Sequence, residues 1–455
     1  MRICHFTNTF LPHVGGVARA VQTILEDQRR ARHRVLVVAP EFAEGAAPAA
    51  IERSVARIPA LTNFNATDFS VSLPFAAMLS ERLAAFRTDI VHAHHPFLLG
   101  DTALREAASR QIPIVFTHHT LYERYTHYLP IESEALGNFA TEVATRFANR
   151  CAAVIAPSES VRDLIISRGV TVPVHAIPTG IDNARLASGR GDLARKRLRL
   201  PGDAPLIGHL GRLASEKNLS YLAEAIGRAL KQIPTARALL VGDGPSRPDM
   251  EQIFADLGVA DRVVFAGKLS GAPLRDACAA MDLFAFASTS ETQGLVLAEA
   301  MATGAPVIAL DASGVREVVQ DHKNGRLLPE DTSAELFASA LVQALRKPEL
   351  LARWSEVARA TAETLDRAKT SLRLLALYHE LISIRRDADS GDSAFMKAVK
   401  PIAERIATEG RIIADKAGAL IDALSRDAAS ASEKEPSPVT APLAIATSSV
   451  TLNPA

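Results

Sequence analysis

Short apolar runs alternate with helix-patterned stretches along the first part of the chain, stop, and then begin the same alternation again. The first series is RICHFT (2–7), RVLVVA (34–39), DIVHAH (89–94), IPIVFTHH (112–119) and AAVIAP (152–157). The second is PLIGHLG (205–211), ARALLVGDG (236–244), RVVFAG (262–267), DLFAFAS (282–288) and APVIAL (305–310). Apolar runs without polar alternation read as strands covered on both faces, and helical stretches between them read as crossovers of a mostly parallel sheet. The chain is therefore read as α/β, with two tandem Rossmann-like domains. Its 455 residues exceed one ordinary core and suit two to three units of roughly 100–200 residues. The break lies at Pro178 to Asp182, where Pro and Gly interrupt the pattern. Expected boundaries are 1–180 and 181–366, with a helix over 367–386 returning to the first domain.

Beyond that helix, residues 393–427 carry apolar side chains at nearly heptad spacing, among them Ile402, Ile406, Ile413 and Leu420, and are expected to form an extra amphipathic helix. Residues 428–455 are Ala, Ser, Pro and Thr without periodicity and are expected to be disordered. Lys plus Arg equal Asp plus Glu at 51 each, so the overall charge points to no nucleic-acid partner. Cys4, Cys151 and Cys278 are too scattered for a disulfide framework or a zinc knuckle, which fits a reducing cytoplasm. The start lacks the basic and apolar regions of a signal peptide, and no run approaches the ~18–20 apolar residues of a spanning helix. Any membrane contact is expected to be peripheral.

Three loops carry chemistry. Gly15 and Gly16 stand between the first strand and the first helix, where backbone N–H groups and a positive helix end can approach an anion. The spacing is not that of a dinucleotide fingerprint, and a plain tight turn explains the pair equally well. Arg212 and Lys217 follow the strand PLIGHLG near the start of a helix; together they suit a diphosphate, and singly they suit a solvated loop. Glu291 lies in a polar loop and Glu299 in the apolar helix LVLAEAMATG, where an acid needs a partner; the vicinal hydroxyls of a sugar would serve, and so would a structural ion pair. His92, His94, His95, His118, His119 and His127 crowd two strand-end segments of the first domain. With no Cys or acids clustered beside them, a sugar-contacting or proton-handling role fits better than a metal.

Taken in order, FLPHVGGV, PTGID, GRLASEKN, VGDGP and the E-x7-E element ETQGLVLAE followed by AMATGAPVIA resemble the retaining glycosyltransferases of family four. That resemblance implies two Rossmann-like domains facing across a cleft, the GT-B fold, over roughly residues 1–385. It implies that Arg212 and Lys217 grip the donor diphosphate, with Gly15 and Gly16 offering backbone from the opposite domain. Glu299 would bind the ribose and Glu291 the transferred sugar, assisted by the backbone of Gln293, Gly294 and Leu295, while the base would lie near VVFAGKL (263–269). THHTLYERYTHYLP (117–130), HAHHPFLLG (92–100) and TSETQG (289–294) look like the branch that glycosylates diacylglycerol and related lipids. His119 matches that branch's His before Thr, with His118 second.

The implied partners are a nucleotide sugar, UDP-glucose foremost, and a lipid acceptor met at the inner face of the cytoplasmic membrane. No cofactor and no divalent metal are implied. Rival readings are a transferase with a soluble or polysaccharide acceptor and a GDP-mannose or UDP-sugar donor, a sugar-nucleotide epimerase, and a non-catalytic binding protein. GIDNARL lacks the Phe that often follows the hinge motif, and the segment after 386 has no counterpart in the family pattern. The mixed charge of 393–427 favours packing on the body or self-association over lipid contact.

Overall fold

A computed structural model describes residues 1–13, 15–42, 49–61, 71–72, 76–123, 134–389 and 394–433. The first domain's strands are β1 (Arg2–Phe6), β2 (Arg34–Pro40), β3 (Val55–Ile58), β6 (Ile90–Ala93), β7 (Ile114–Thr117), β8 (Ala153–Ala156) and β9 (Val174–Ala176). They form one parallel sheet in the order β3-β2-β1-β6-β7-β8-β9, and β4 (Ala60–Leu61) and β5 (Val71–Ser72) form a separate antiparallel pair. The second domain has β10 (Leu206–Leu210), β11 (Arg237–Val241), β12 (Val263–Gly267), β13 (Leu283–Phe286), β14 (Val307–Leu310) and β15 (Gly325–Leu328), in the order β12-β11-β10-β13-β14-β15.

Both sheets reverse their winding beside their first strand. Ile3 faces Val35 of β2 on one side and Ile90 of β6 on the other; Ile207 faces Ala238 of β11 and Leu283 of β13. In doubly wound sheets the crevice at the carboxyl ends of these strands is where ligands sit. The loops carrying Gly15–Gly16 and Arg212–Lys217 leave from those two strands.

The chain crosses between the domains twice, and the crossings lie side by side. Ile181 N–H donates to the Leu365 carbonyl at 2.9 Å, and Arg367 N–H to the Ile181 carbonyl at 3.0 Å. The close approach explains Gly180: a Cβ there would lie 2.2 Å from Arg367 Cα. The Arg367 guanidinium also pairs with Asp27 of the first helix (Gly16–Arg30) at 2.7 Å, tying the crossing to the first domain. From there the return helix (Arg367–Asp389) sinks Leu374, Leu377, Tyr378 and Ile382 among Ile3, Ile90 and Val115. Tyr378 is fully buried.

The terminal helix spans Ala394–Glu433, six residues past its expected end, so the first residues of the expected tail are helical. Positions 434–455 lie outside the described residues. This helix rests on two first-domain helices, Leu99–Arg110 and Glu134–Ala148. Thr408, Ile412, Ala419 and Ala423 are buried there. Ion pairs frame the contact: Glu409 with Arg105 at 2.5 Å, Lys416 with Asp101 at 2.5 Å, Asp415 with Arg150 at 2.9 Å and Asp422 with Arg146 at 2.7 Å.

Candidate functional site

The loop bearing Arg212 and Lys217 is set by its neighbour, the VGDG turn after β11. Leu213 N–H donates to the Asp243 carbonyl at 3.0 Å, and Ser246 N–H to the Leu213 carbonyl at 2.9 Å. Gly242, at φ +143, lets the two turns touch, since a Cβ there would lie 1.8 Å from the Gly211 carbonyl oxygen. Arg212 is exposed at the strand end. Ser215–Lys217 form a single 3-10 turn before the helix Leu219–Gln232.

The fold supplies Lys217 with an anion from 74 positions away: Lys217 Nζ lies 3.2 Å from Glu291 Oε2. The other oxygen of Glu291 accepts from Gly294 N–H at 3.2 Å. Burial pushes this carboxyl up, yet Lys217 and the Gly294 N–H outweigh it and hold Glu291 below the usual carboxylate range. Glu291 is thus a fixed anion at the entrance of the helix Leu295–Ala302.

Glu299 lies within that helix and looks toward the other domain. Its Oε1 meets Arg19 Nη2 of the first helix at 3.2 Å, while Oε2 is buried without a partner among the described residues. Burial lifts this carboxyl above the usual range and Arg19 offsets only part. The N-cap Gly15 offers no side-chain hydrogen bond, and among the described residues a Cβ on Gly16, three residues before Arg19, would meet nothing within 4 Å.

Three further contacts close the seam around these acids. Thr292 Oγ1 donates to the His119 carbonyl at 3.0 Å, and Ser158 Oγ to the Thr292 carbonyl at 2.9 Å. The Gln293 amide grips the hinge, accepting from Thr179 N–H at 2.9 Å and donating to the Thr179 carbonyl at 2.6 Å. Expected to assist a ligand through its backbone, Gln293 thus also straps the acid loop to the crossing segment through its side chain. Gly314, which sequence reasoning passed over, donates its N–H to the Glu291 carbonyl at 3.0 Å.

The histidines form a hydrogen-bonded series, buried at His5 and His94 and half-buried at His119. Gln28 Oε1 accepts from His5 Nε2 at 2.8 Å, so His5 Nδ1 is the acceptor for His94 Nε2 at 3.0 Å; His94 Nδ1 then accepts from His119 Nε2 at 2.8 Å. Beside it, His92 bonds Tyr378 Oη at 2.5 Å and Thr117 Oγ1 at 2.6 Å. Ring nitrogens of His5, His92 and His94 lie within 4.8 Å of one another, a spacing that could hold a metal. All six are engaged in these hydrogen bonds, so a metal would have to displace them. Burial lowers His119 to about 3, and His5 and His118 to about 4. The series is therefore neutral near pH 7. It fixes His119 from behind, through Gln28 and Tyr378, neither of which carries a recognisable motif; His5 was likewise missed. His118 is buried and turned away against Tyr122 and Phe116. His127 lies outside the described residues.

Residues 14–185 match the family described as Glycosyltransferase Family 4, and residues 192–361 match Glycosyl transferases group 1. A GDP-mannose-dependent alpha-mannosyltransferase of Mycobacterium tuberculosis is 32% identical, over 72% of this chain and 84% of its own. An alpha-monoglucosyldiacylglycerol synthase of Streptococcus pneumoniae is 29% identical, over 76% of this chain and 78% of its own. Among solved structures, Anabaena Alr3699/HepE in complex with UDP superposes with TM-score 0.67 at 24% identity, over 84% of this chain and 100% of its own.

Proposed function

Starting from a chain that belongs to glycosyltransferase family 4 and has the GT-B fold, we propose that it moves a hexose from a nucleotide diphosphate sugar to a hydroxyl of a membrane lipid such as diacylglycerol, with the anomeric configuration retained. The carrying observation is the pair of acids on one short helix and its entry loop: Glu291 held ionised by Lys217, and Glu299 with one oxygen on Arg19 and one unpaired at the seam. Carboxylates so placed suit two separate sets of sugar hydroxyls, the hexose at Glu291 and the ribose at Glu299. The gap beside Gly16 and the cations of the 212–217 loop suit the diphosphate between them.

In the reaction the bond from the anomeric carbon to the diphosphate breaks, and negative charge grows on the departing phosphate. Arg212, Lys217 and the backbone N–H groups at Gly15–Gly16 and Gly294–Leu295 stabilise that charge better in the transition state than in the bound donor, which is the part of binding that accelerates chemistry. The acceptor hydroxyl attacks from the same face, its proton passing to the leaving phosphate oxygen, and no divalent metal takes part. His119, held by His94, lies against the acid loop and positions the hexose. A lipid acceptor would be met at the surface: among the described residues no helix is long and apolar enough to cross a membrane.

The donor has a second reading. Three mannosyltransferase relatives are 32%, 31% and 28% identical, against 29% and 27% for two glucosyldiacylglycerol synthases, which makes GDP-mannose the rival donor. Purified protein incubated with UDP-glucose or GDP-mannose, each with diacylglycerol vesicles or a soluble polyol, separates these cases by nucleotide release and product mass. UDP release with a retained glucosyl-lipid is the expected result. Lys217→Ala should cut that turnover at least tenfold, corresponding to roughly 1.4 kcal/mol or more of lost transition-state stabilisation. Turnover only with GDP-mannose, or only onto the polyol, would replace the donor or acceptor accordingly.

A further inference from the structure

The terminal helix is fastened to the body by one face and by its charges, which leaves the opposite face to be explained. Between positions 403 and 421 Ala403, Ile406, Gly410, Ile413, Ala417 and Leu420 are all exposed, with Ile406 at 69%, Ile413 at 68% and Leu420 at 51% exposure, and Ile421 at 63% flanks them. The first six fall at alternating spacings of three and four residues, the a and d positions of a coiled-coil seam. The flanking charges are occupied elsewhere: Glu409 and Lys416 bind the body, as do Asp415 and Asp422, and Arg411 pairs with Glu404 at 2.9 Å. The body buries a different stripe, through Ile412, Ala419 and Ala423.

We propose that this face is the seam of a two-fold symmetric dimer, in which the terminal helices of two copies of this chain pack antiparallel. The evidence for a second copy is that the face is complementary to itself. Its a positions are all small (Ala403, Gly410, Ala417) and its d positions all large (Ile406, Ile413, Leu420). An antiparallel seam sets each a against a d, so Ala403 meets Leu420, Ile406 meets Ala417 and Gly410 meets Ile413 of the other copy, with every large side chain entering a gap left by a small one. A parallel pairing would instead set small against small and large against large.

A bilayer fits this face less well. Across 404–422 the helix carries Glu404, Glu409, Asp415 and Asp422 against Arg405, Arg411 and Lys416, so it offers anionic lipid no positive excess, and its outer face has no Trp or Tyr. At ~1.5 Å rise per residue the seam is about 27 Å long, shorter than a full stable interface, so dimer and monomer should exchange with concentration.

The test is sedimentation of the full-length protein from about 1 to 100 µM, alone and with anionic vesicles of phosphatidylglycerol and phosphatidylcholine. A concentration-dependent dimer is expected, lost in Ile413→Glu while circular dichroism and the thermal midpoint stay unchanged. Orientation is read by oxidising single-cysteine variants: Gly410→Cys mixed with Ile413→Cys should cross-link far more than either alone. A monomer at every concentration overturns the proposal, and so does a dimer unmoved by Ile413→Glu. Vesicle binding lost in Ile413→Glu without any dimer assigns the face to lipid. Cross-linking of each variant with itself instead overturns the antiparallel register. None of these readouts depends on the donor or the acceptor.

Discussion

Glu299 joins a lifted pKa to an unfilled hydrogen-bonding position, and the two have one cause. The apolar helix around it excludes water, which disfavours the carboxylate, and Arg19 reaches only one of its oxygens. Two ribose hydroxyls would supply what is missing, and they bind the ionised form better than the protonated form. As pH falls, Glu299 takes up its proton above the ordinary glutamate value of about 4.3, whereas Glu291, held down by Lys217, does so below it. The donor KM should therefore rise on the acid side through Glu299 first. Glu299→Gln is expected to raise the donor KM roughly tenfold at pH 7.5, about 1.4 kcal/mol of binding, and to flatten that limb. Steady-state kinetics from pH 5 to 8 check it; an acid limb unchanged in the variant would remove Glu299 from the donor. His119 adds no limb near the ordinary imidazole value of about 6.5, because burial keeps it neutral across this range.

At the level of elements, the parallel strands were readable wherever an apolar run was long enough to stand out. RVLVVA became β2 and APVIAL became β14, because strands covered on both faces need unbroken apolar sequence. The missed strands are short and lie toward the sheet edges: β3 is VARI, with an Arg in its middle, β9 is VHA and β15 is GRLL. The site was legible as a placement of residues, Glu291 in a loop and Glu299 inside the helix that follows, because one short motif carries both. It was not legible where partners came from distant elements: Arg19 for Glu299, Thr179 for Gln293, Gln28 for His5. Nothing in one sequence pairs positions 280 apart. Gly180 shows what such crossings require of an element, since it lies where two connecting segments pass at backbone distance. Gly180→Ala should cost about 1–3 kcal/mol, the usual range for overpacking against atoms that cannot rotate away, and should loosen the hinge contact of Arg367 with Asp27. Urea titration measures the loss; a variant as stable as the parent would show that the crossings separate freely.

For the whole molecule, the two domains differ in how they should answer acid. The first buries His5, His92, His94, His95 and His118, and the second buries His209. Burial lowers His5, His118 and His209 to about 4 and His95 to about 3, with His92 and His94 well below the ordinary value. Unfolding returns each imidazole to about 6.5, so between pH 6.5 and 4 the unfolded chain holds the extra protons and stability falls as pH drops. The slope is about 1.4 kcal/mol per pH unit for each such group once pH is below 6.5, against a total of roughly 5–15 kcal/mol for an ordinary domain. Among the described residues, these five groups together with His119, lowered to about 3, against His209 in the other domain should make the first domain the acid-labile half. Trp354, the single tryptophan of the chain, lies in the second domain's core, so its fluorescence reports that half alone, while far-ultraviolet circular dichroism reports both. At pH 7.5 the two thermal transitions should nearly coincide. By pH 5 the circular dichroism should show an early loss of several degrees that precedes the Trp354 transition. Equal shifts by both probes would mean that the hinge and the return helix bind the halves into one cooperative unit, whatever their separate proton balances.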